Sequence, residues 1–425
     1  MSGKRGFWYW CRTLGMVLLG LGVFVAAARR AAKQVIGTDF HVFWQAGYDF
    51  SHDLPLYHSL PGARHFNYPP FAAQVFQTLA LFPLKMAAGL FYVVNVGLIL
   101  LAVWVSRDFI QRRLQPARPG ALPLALAVLC SAGFMLDNIA HLQVNLLTFV
   151  LILLGVQAFI SKREFAAGGW LVAATAIKLT PVFFLVWAVI RGSRRTLAAI
   201  SVFGVLCLTF PVIQRGLAQG SEDLTDYYGS FLQEFAAGGV IANYRNQNLA
   251  ALVYRAVTPA AAEDVPPYEY AYLPSLAPTA PMIYRVLALA VLTAFLAQLV
   301  RLRLGGRQIT ALEISSVFLT SHLLSGITWK AHLVTLLFVF YAFFVLELQE
   351  VGRVGRWALG LAWTGIVTMG MGRDLVGSRI HHYLAGYSVF VWVMLLLFTL
   401  SIFWSRAAQG SPLSRSIDGS GSEFL

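Results

Sequence analysis

The chain has few charged residues for its length, since Asp, Glu, Lys and Arg make up 12% of its 425 residues. A soluble domain has about a quarter. Apolar residues make up 58% of the chain, and the mean hydropathy is +0.67. Because the apolar runs extend along nearly the whole length, a series of soluble domains is excluded. The composition predicts an all-α polytopic membrane protein.

Several motifs of soluble enzymes are also missing. The three cysteines, Cys11, Cys130 and Cys207, lie in or beside apolar runs, so they predict neither a disulfide framework nor a zinc site. We find no glycine-rich phosphate loop, no internal repeat, no heptad pattern and no Asp-x-Asp pair in a nucleotide-sugar context. The chemistry must therefore come from dispersed polar residues.

The net charge of +13 does not predict a nucleic-acid partner. With a cytoplasmic N-terminus, most of the basic residues fall in short loops on the cytoplasmic side, and most acids fall outside. This is the positive-inside pattern of a membrane protein, which reports topology. We expect a multi-pass protein of a bacterial inner membrane with both termini in the cytoplasm.

Ten apolar runs are suited to crossing the membrane, and an eleventh is interrupted by Pro181. The interrupted run is Ala166–Ile190; the others are Trp8–Ala28, Met86–Ser106, Ala121–Leu136, Gln143–Ile160, Leu197–Ile213, Met282–Val300, Ala311–Ile327, Ala331–Leu348, Trp357–Met371 and Leu384–Trp404. The N-terminal run has no cleavage site and is interpreted as the first helix. Counting the interrupted run as a pair, we expect about twelve helices in one domain, residues 1–404.

Two long segments then face outward, residues 29–85 and 214–281. The first predicts amphipathic helices lying in the membrane interface. Its stretch from 69 to 83 is short for a span, although a short transmembrane helix is the alternative. Residues 405–425 are rich in Ser and Gly and predict a disordered cytoplasmic tail.

The interrupted run contains a lysine at membrane depth. Pro181 removes a backbone donor and clashes with the preceding turn, so two short helices should meet at residues 178–181. A lysine in irregular backbone within the membrane is a candidate functional residue, and a snorkelling or ion-paired Lys178 is the alternative.

Polar and aromatic side chains from five distant segments fall on the outer face under this topology. Asn, Gln, Asp, His and aromatic side chains bind sugars, whereas Arg and Lys hold phosphates. We expect these residues to line one outward cavity. The candidates for binding sugar or acceptor are His41, Tyr57, Tyr68, Asn138, Gln143, Asn145, Gln247, Trp329 and His332, and those for binding phosphate are Lys178, Arg245 and Arg379.

The sequence resembles glycosyltransferase family 87 of the GT-C superfamily. The resemblance rests on GTDFHVFWQAGYDF, then LPLY, NYPP and ALFP, and on HLQVN, AIKLTP and RNQNLAALVYR in the same order. It covers the chain from Gly37 to about His332. It implies a GT-C fold and the transfer of mannose, or a related hexose, from a polyprenyl-phosphate donor to an acceptor hydroxyl with inversion.

The resemblance also implies residue roles. Asp39 occupies the position of the family's general base, although an N-cap for the following helix is the structural alternative. Lys178, Arg245 and Arg379 would hold the leaving phosphate. The donor is a lipid monophosphate, which has no pyrophosphate to bridge, so we expect no metal and no other cofactor. The partners implied are the polyprenyl-phosphate sugar, a glycolipid or glycan acceptor and membrane lipids.

Two other classes share some of these features. A transporter or flippase of lipid-linked sugars would also have many helices, a broken helix and a buried lysine. An oligosaccharide ligase or polymerase would use a diphosphate-linked donor. The sequence leaves the acceptor open, and it does not separate mannose from arabinose or glucose.

Overall fold

The computed structural model describes residues 38–57, 65–111, 121–233, 242–257, 273–350 and 372–407, with Val25, Arg29, Val35 and Val240. Within these residues the structure is helical and contains no strand. The first nine α-helices are α1 Asp39–Ser51, α2 Pro70–Ala80, α3 Leu84–Phe109, α4 Ala121–His141, α5 Asn145–Ile160, α6 Glu164–Ile177, α7 Val182–Arg191, α8 Arg194–Arg215 and α9 Leu217–Tyr227. The rest are α10 Leu249–Val257, α11 Ala280–Leu304, α12 Ala311–Leu323, α13 Leu336–Glu350, α14 Gly372–Gly386 and α15 Val389–Ala407.

Short helical turns join some of these α-helices. A short π-helix, Tyr228–Gln233, follows α9. Short 3-10 helices, also called 3-10 turns below, occupy Pro274–Thr279 before α11 and Lys330–Thr335 before α13. The helix α14 is kinked, because Gly377 adopts φ +77° within it.

Four of the described helices are long and apolar enough to cross a membrane: α3, α4, α8, and α11 together with the turn before it. The last ten residues of α14, with α15, form a fifth candidate that is bent by 53°. These helices confirm the class, an all-helical polytopic membrane protein. The expected total of about twelve spans stays a prediction. Trp8–Ala28, apart from Val25, and Trp357–Met371 lie outside the described residues, as do residues 408–425.

The predicted runs that begin at Gln143, Ala311 and Ala331 form shorter elements. The helix α5 has 16 residues and α12 has 13, whereas the last run divides into a 3-10 turn and α13. Every residue of α12 is buried, so it lies at the centre of the protein. A spanning helix needs about 20 residues. Short central helices leave room at membrane depth for irregular segments that the surrounding protein covers.

The basic ends of several helices meet at one end of the molecule. Arg191 and the Nε1 of Trp187 each approach the Glu313 carboxylate to 2.8 Å, and Glu313 is fully buried. Arg303 donates to the carbonyls of Arg191 and Gly192 at 2.7 Å. This cluster includes the C-terminal end of α7. The N-terminal end of α7 follows the break that contains Lys178. Positive charge thus gathers at the end of α7 away from that lysine.

In the first predicted outer loop, α1 and α2 pack directly against each other. A Cβ added to Gly47 would lie 2.5 Å from the carbonyl carbon of Phe76. The rings of Phe43 and Phe76 stack at 4.9 Å between centroids. The helix α2 has only 11 residues, too few to span, which favours the predicted interfacial helix over a transmembrane one.

A buried arginine ties this helix pair to the second outer segment. The Arg215 guanidinium, at the end of α8, donates to the carbonyls of Asp49, Phe50 and Leu54 at 2.7 to 3.1 Å. Its Nε lies 2.7 Å from the Asp223 carboxylate, and both side chains are almost fully buried. Arg215 therefore satisfies the C-terminal carbonyls of α1 and joins α8 to α9.

We predict that Gly47→Ala destabilises the protein by about 1–3 kcal/mol, because its methyl group would meet backbone atoms that cannot move aside. In α3, Gly97→Ala is the control, since a Cβ there meets nothing within 4 Å. It should be neutral or stabilising by up to about 1 kcal/mol. Thermal unfolding in detergent, followed by size-exclusion chromatography, measures both. Equal melting temperatures would contradict the close α1–α2 contact.

We predict that Arg215→Met lowers stability by about 3–5 kcal/mol, because it leaves the Asp223 carboxylate buried without its cation. Arg195→Met, at the exposed start of the same helix, serves as the matched control and should change stability by less than about 0.5 kcal/mol. The same thermal assay compares them, and an Arg215 variant as stable as the control would refute the role of the ion pair.

Candidate active site

The break between α6 and α7 places Lys178 at the centre of the site. The helix α6 ends at Ile177, and Lys178 is extended, with φ −150° and ψ 129°. Pro181 precedes the first residue of α7, where its missing N–H costs no helical hydrogen bond. The structure confirms the predicted break at residues 178–181.

A cavity of about 510 Å³ opens beside this break. It lies between the start of α1, the α6–α7 break, the segment around Tyr68 and the chain from Ser321 to His332. One part of its wall is polar and another is apolar. The lining residues used below are Asp39, Val42, Phe43, Tyr68, Gln143, Lys178, Leu179, Val182, Phe183, Leu324, Ile327, Trp329 and His332.

Asp39 is the acid of the polar wall. It is the first residue of α1, after Thr38 at the N-cap, and it is 8% exposed. The Gln143 amide donates to its Oδ2 at 2.5 Å. The structure thus places the N-cap at Thr38, not at Asp39, and turns the Asp39 carboxylate to a distant segment.

Gln143 reaches Asp39 from a tight turn after α4. Leu142 adopts φ +48°, a left-handed conformation that is uncommon for a residue with a branched side chain. The Gln143 N–H bonds back to the Asn138 carbonyl at 3.0 Å. Such local strain, of order 1–3 kcal/mol, persists where the surrounding structure holds it, often at functional sites.

Lys178 is 9% exposed and rests on a chain of buried amides. Its Nζ donates to Asn145 Oδ1 at 2.6 Å. The Asn145 amide nitrogen in turn donates to Asn138 and to the Ala331 carbonyl, and Asn138 donates to Asn95 at 2.9 Å. These contacts cross α3, α4 and α5, so the ammonium is held by the core and not by a flexible loop.

Tyr68 forms the face of the cavity next to Lys178. The lysine Nζ lies 5.9 Å from the centre of its ring, within the range of a cation–π contact. The Tyr57 hydroxyl donates to the Tyr68 carbonyl at 2.7 Å and so fixes this segment. Burial raises the pKa of the Tyr57 phenol, which therefore stays protonated as a donor. Tyr57 supports the wall and does not line it.

Trp329 and His332 supply the opposite side. His332 is in the 3-10 turn before α13, and its Nδ1 lies 3.0 Å from the Ile327 carbonyl. The Trp329 N–H also points to this Nδ1, at 3.3 Å, so two backbone groups hold the imidazole ring in place. Six of the predicted site residues thus line one cavity: Asp39, Tyr68, Gln143, Lys178, Trp329 and His332.

Other predicted site residues lie outside the cavity lining. Gln247 donates to the Tyr244 and Ala385 carbonyls, which joins the segment before α10 to the end of α14. His41 is half-buried on α1, and burial lowers its pKa. Arg245 and Arg379 are exposed. The structure does not bring these four residues to Lys178, and their binding roles stay predictions.

Sequence reasoning gave no role to two buried polar residues beneath the site. Asn95 is fully buried in α3 and ends the amide chain. His322 is 3% exposed, lies 2.6 Å from the Thr335 hydroxyl, and lines a cavity of about 30 Å³ together with Lys178. A lone Asn in an apolar run was the one available signal for Asn95. Among the described residues, no three His, Cys, Asp or Glu side chains are placed to share a metal ion.

Two curated proteins of Mycobacterium tuberculosis are similar to the chain. One is a polyprenol-phosphate-mannose-dependent alpha-(1-2)-phosphatidylinositol mannoside mannosyltransferase, 25% identical in an alignment of 267 positions that covers 58% of the chain. The other is the corresponding phosphatidylinositol pentamannoside mannosyltransferase, 28% identical over 253 residues, which are 60% of the chain. The chain spans 60% and 54% of the lengths of these two relatives.

A family model also matches residues 66–326, a range that includes Tyr68, Gln143 and Lys178. This match covers more than half of the chain, and the chain belongs to glycosyltransferase family 87.

Proposed function

We propose that the protein is a membrane mannosyltransferase that moves mannose from a polyprenyl-phosphate donor to an acceptor hydroxyl with inversion. The observation that carries the proposal is that Asp39 and Lys178 both line one cavity. The family and the donor named for both relatives support the same reaction. Their phosphatidylinositol mannoside acceptors favour a glycolipid acceptor.

In this mechanism Asp39 is the general base. The acceptor oxygen attacks the anomeric carbon of mannose, a new C–O bond forms, and the bond from that carbon to the phosphate oxygen breaks. The hydroxyl proton passes to the Asp39 carboxylate, and polyprenyl phosphate leaves with the bonding electron pair. The hydrogen bond from Gln143 to Oδ2 fixes the orientation of the Asp39 carboxylate.

Lys178 stabilises the leaving phosphate. Its ammonium lies in a water-poor cavity, where a fixed positive charge is worth more than it would be in water. Asn145 directs it and needs no reorganisation during the reaction. His332 and Trp329 are placed to contact the sugar, through the imidazole Nε2 and the indole face. The apolar wall of Val42, Phe43 and Phe183 fits the lipid part of a substrate.

The topology belongs to the same proposal. A single GT-C domain with about twelve spans would place the cavity at the outer face of a bacterial inner membrane. Basic residues cluster at the end of α7 opposite Lys178, which supports a cytoplasmic location for that end. Both termini would then be cytoplasmic, and no metal or other cofactor would take part.

We predict that Asp39→Asn lowers transfer by about 100- to 10,000-fold, the range that a general base contributes. Membranes with either form receive radiolabelled polyprenyl-phosphate mannose and lipid extract, and the labelled product is counted. Asp137→Asn is the matched control, because Asp137 is partly exposed beside His141 and does not line the cavity. Equal labelling by all three forms would refute Asp39 as the base. No labelling even by the wild type would refute the donor or acceptor and favour a transporter.

We predict that Lys178→Met lowers kcat by about 100- to 1,000-fold, because the methionine keeps an apolar stem but removes the charge on the leaving group. Lys162→Met, at the exposed turn before α6, controls for a general loss of positive charge. The assay is the same transfer reaction with purified protein at saturating donor. A Lys178 variant with wild-type kcat would exclude this lysine from phosphate stabilisation.

A further inference from the structure

A second cavity of about 240 Å³ lies beside the candidate site, between α2, α6, α8 and α9. Its lining is almost entirely apolar. Phe71 comes from α2, Val172 from α6, and Ile200, Gly204 and Cys207 from α8. We call it the side slot. The wall of Asp39, Gln143 and His332 does not reach it.

The side slot begins at the phosphate-binding end of the site. Leu179, which follows Lys178 in the chain, lines both cavities. Pro69, which follows Tyr68, lines the side slot, whereas Tyr68 lines the main cavity. The two cavities are therefore neighbours at Leu179, next to the lysine proposed to hold the phosphate.

One helix separates the side slot from the surrounding lipid. The helix α8 is a candidate membrane span, and Val205 and Ile213, which do not line the slot, are more than half exposed. Leu208 lines the slot and is also more than half exposed. Pro211 within α8 lacks the N–H that would otherwise bond to the Cys207 carbonyl. The slot thus lies at membrane depth behind a wall whose other face contacts lipid.

We infer that the side slot holds the first isoprene units of the donor's polyprenyl chain. The inference rests on the proposed function, because it takes the donor phosphate to lie at Lys178. An acceptor lipid fits the slot less well, since its hydroxyl must reach Asp39 while the leaving phosphate departs from the opposite face of the sugar. The acceptor would lie along the apolar wall of the main cavity, at Val42 and Phe43.

Gly204 offers a direct way to fill the slot. It lines the cavity, and a Cβ added there meets nothing within 4 Å. Gly204→Leu therefore places an apolar side chain in the slot without a backbone clash. Gly97→Leu is the control: Gly97 lies on the exposed face of α3, its Cβ also meets nothing, and it lines neither cavity.

The first test measures the KM of the donor. Gly204→Leu should raise the KM for long-chain polyprenyl-phosphate mannose by about tenfold or more, because buried methylene groups lose their binding site. The KM for a donor truncated to a single isoprene unit should change much less, and Gly97→Leu should change neither. An unchanged KM for the long-chain donor in Gly204→Leu would overturn the inference.

The second test measures binding without transfer. Cys207 lines the slot and is half-buried, whereas Cys130 is buried. In a Cys11→Ser background, bound polyprenyl phosphate should slow alkylation of Cys207 by N-ethylmaleimide several-fold, and a diacyl phospholipid should not. Equal protection by the diacyl lipid, or none by polyprenyl phosphate, would overturn the inference.

The two tests distinguish a failure of this inference from a failure of the proposed function. If the wild type transfers mannose but polyprenyl phosphate does not protect Cys207, the slot is wrong and the transferase stands. If polyprenyl phosphate protects Cys207 but no mannose is transferred, the slot stands and the proposed reaction fails.

Discussion

The hydrogen bond from Lys178 to Asn145 is the contact on which the candidate site depends. A charge and an interrupted backbone at membrane depth are tolerated only where protein satisfies them, because the lipid offers no hydrogen-bond partner. Asn145 accepts a hydrogen bond from the ammonium at 2.6 Å, and further hydrogen bonds link Asn145 to Asn138 and Asn138 to Asn95. Backbone carbonyls reinforce the chain, because Asn145 also donates to Ala331 and Asn138 also donates to Gln143. The position of Lys178 is thus set by three helices at once, which keeps its ammonium in place while substrates enter and leave.

The short central helices create the space that this contact needs. The fully buried α12 ends well short of a membrane's thickness, and the chain continues to His332 as irregular backbone and a 3-10 turn. The opening left between these elements becomes a cavity with one polar and one apolar wall. A lipid-linked sugar has the same division, a polar head and an apolar chain. The charged contacts at the other end of α7, around Glu313, form a separate buried network.

The proposed reaction requires a carboxylate and an ammonium in one cavity that do not neutralise each other. Gln143 holds the Asp39 carboxylate, and Asn145 holds the Lys178 ammonium, so neutral amides fix both groups. A base and a phosphate-binding cation can then act on opposite sides of one sugar. The membrane adds its own contribution, since the lipid chain of the donor partitions there and brings the reacting phosphate to the right depth. A carboxylate so close to the membrane surface is thereby explained by where its substrate lies.

The sequence by itself determined the class of the protein, the family it resembles and the position of the helix break. Hydropathy predicts which segments are helices in lipid, and Pro181 favours a break because it lacks a backbone N–H and clashes with the preceding turn. Tertiary structure alone decided which polar residues meet. The sequence predicts that Arg245 and Lys178 both bind phosphate, yet Arg245 is exposed on a loop while Lys178 lines the cavity. The difference depends on how distant segments pack. A residue's type states which contacts it can make, and the packing of the other helices decides which of them it makes.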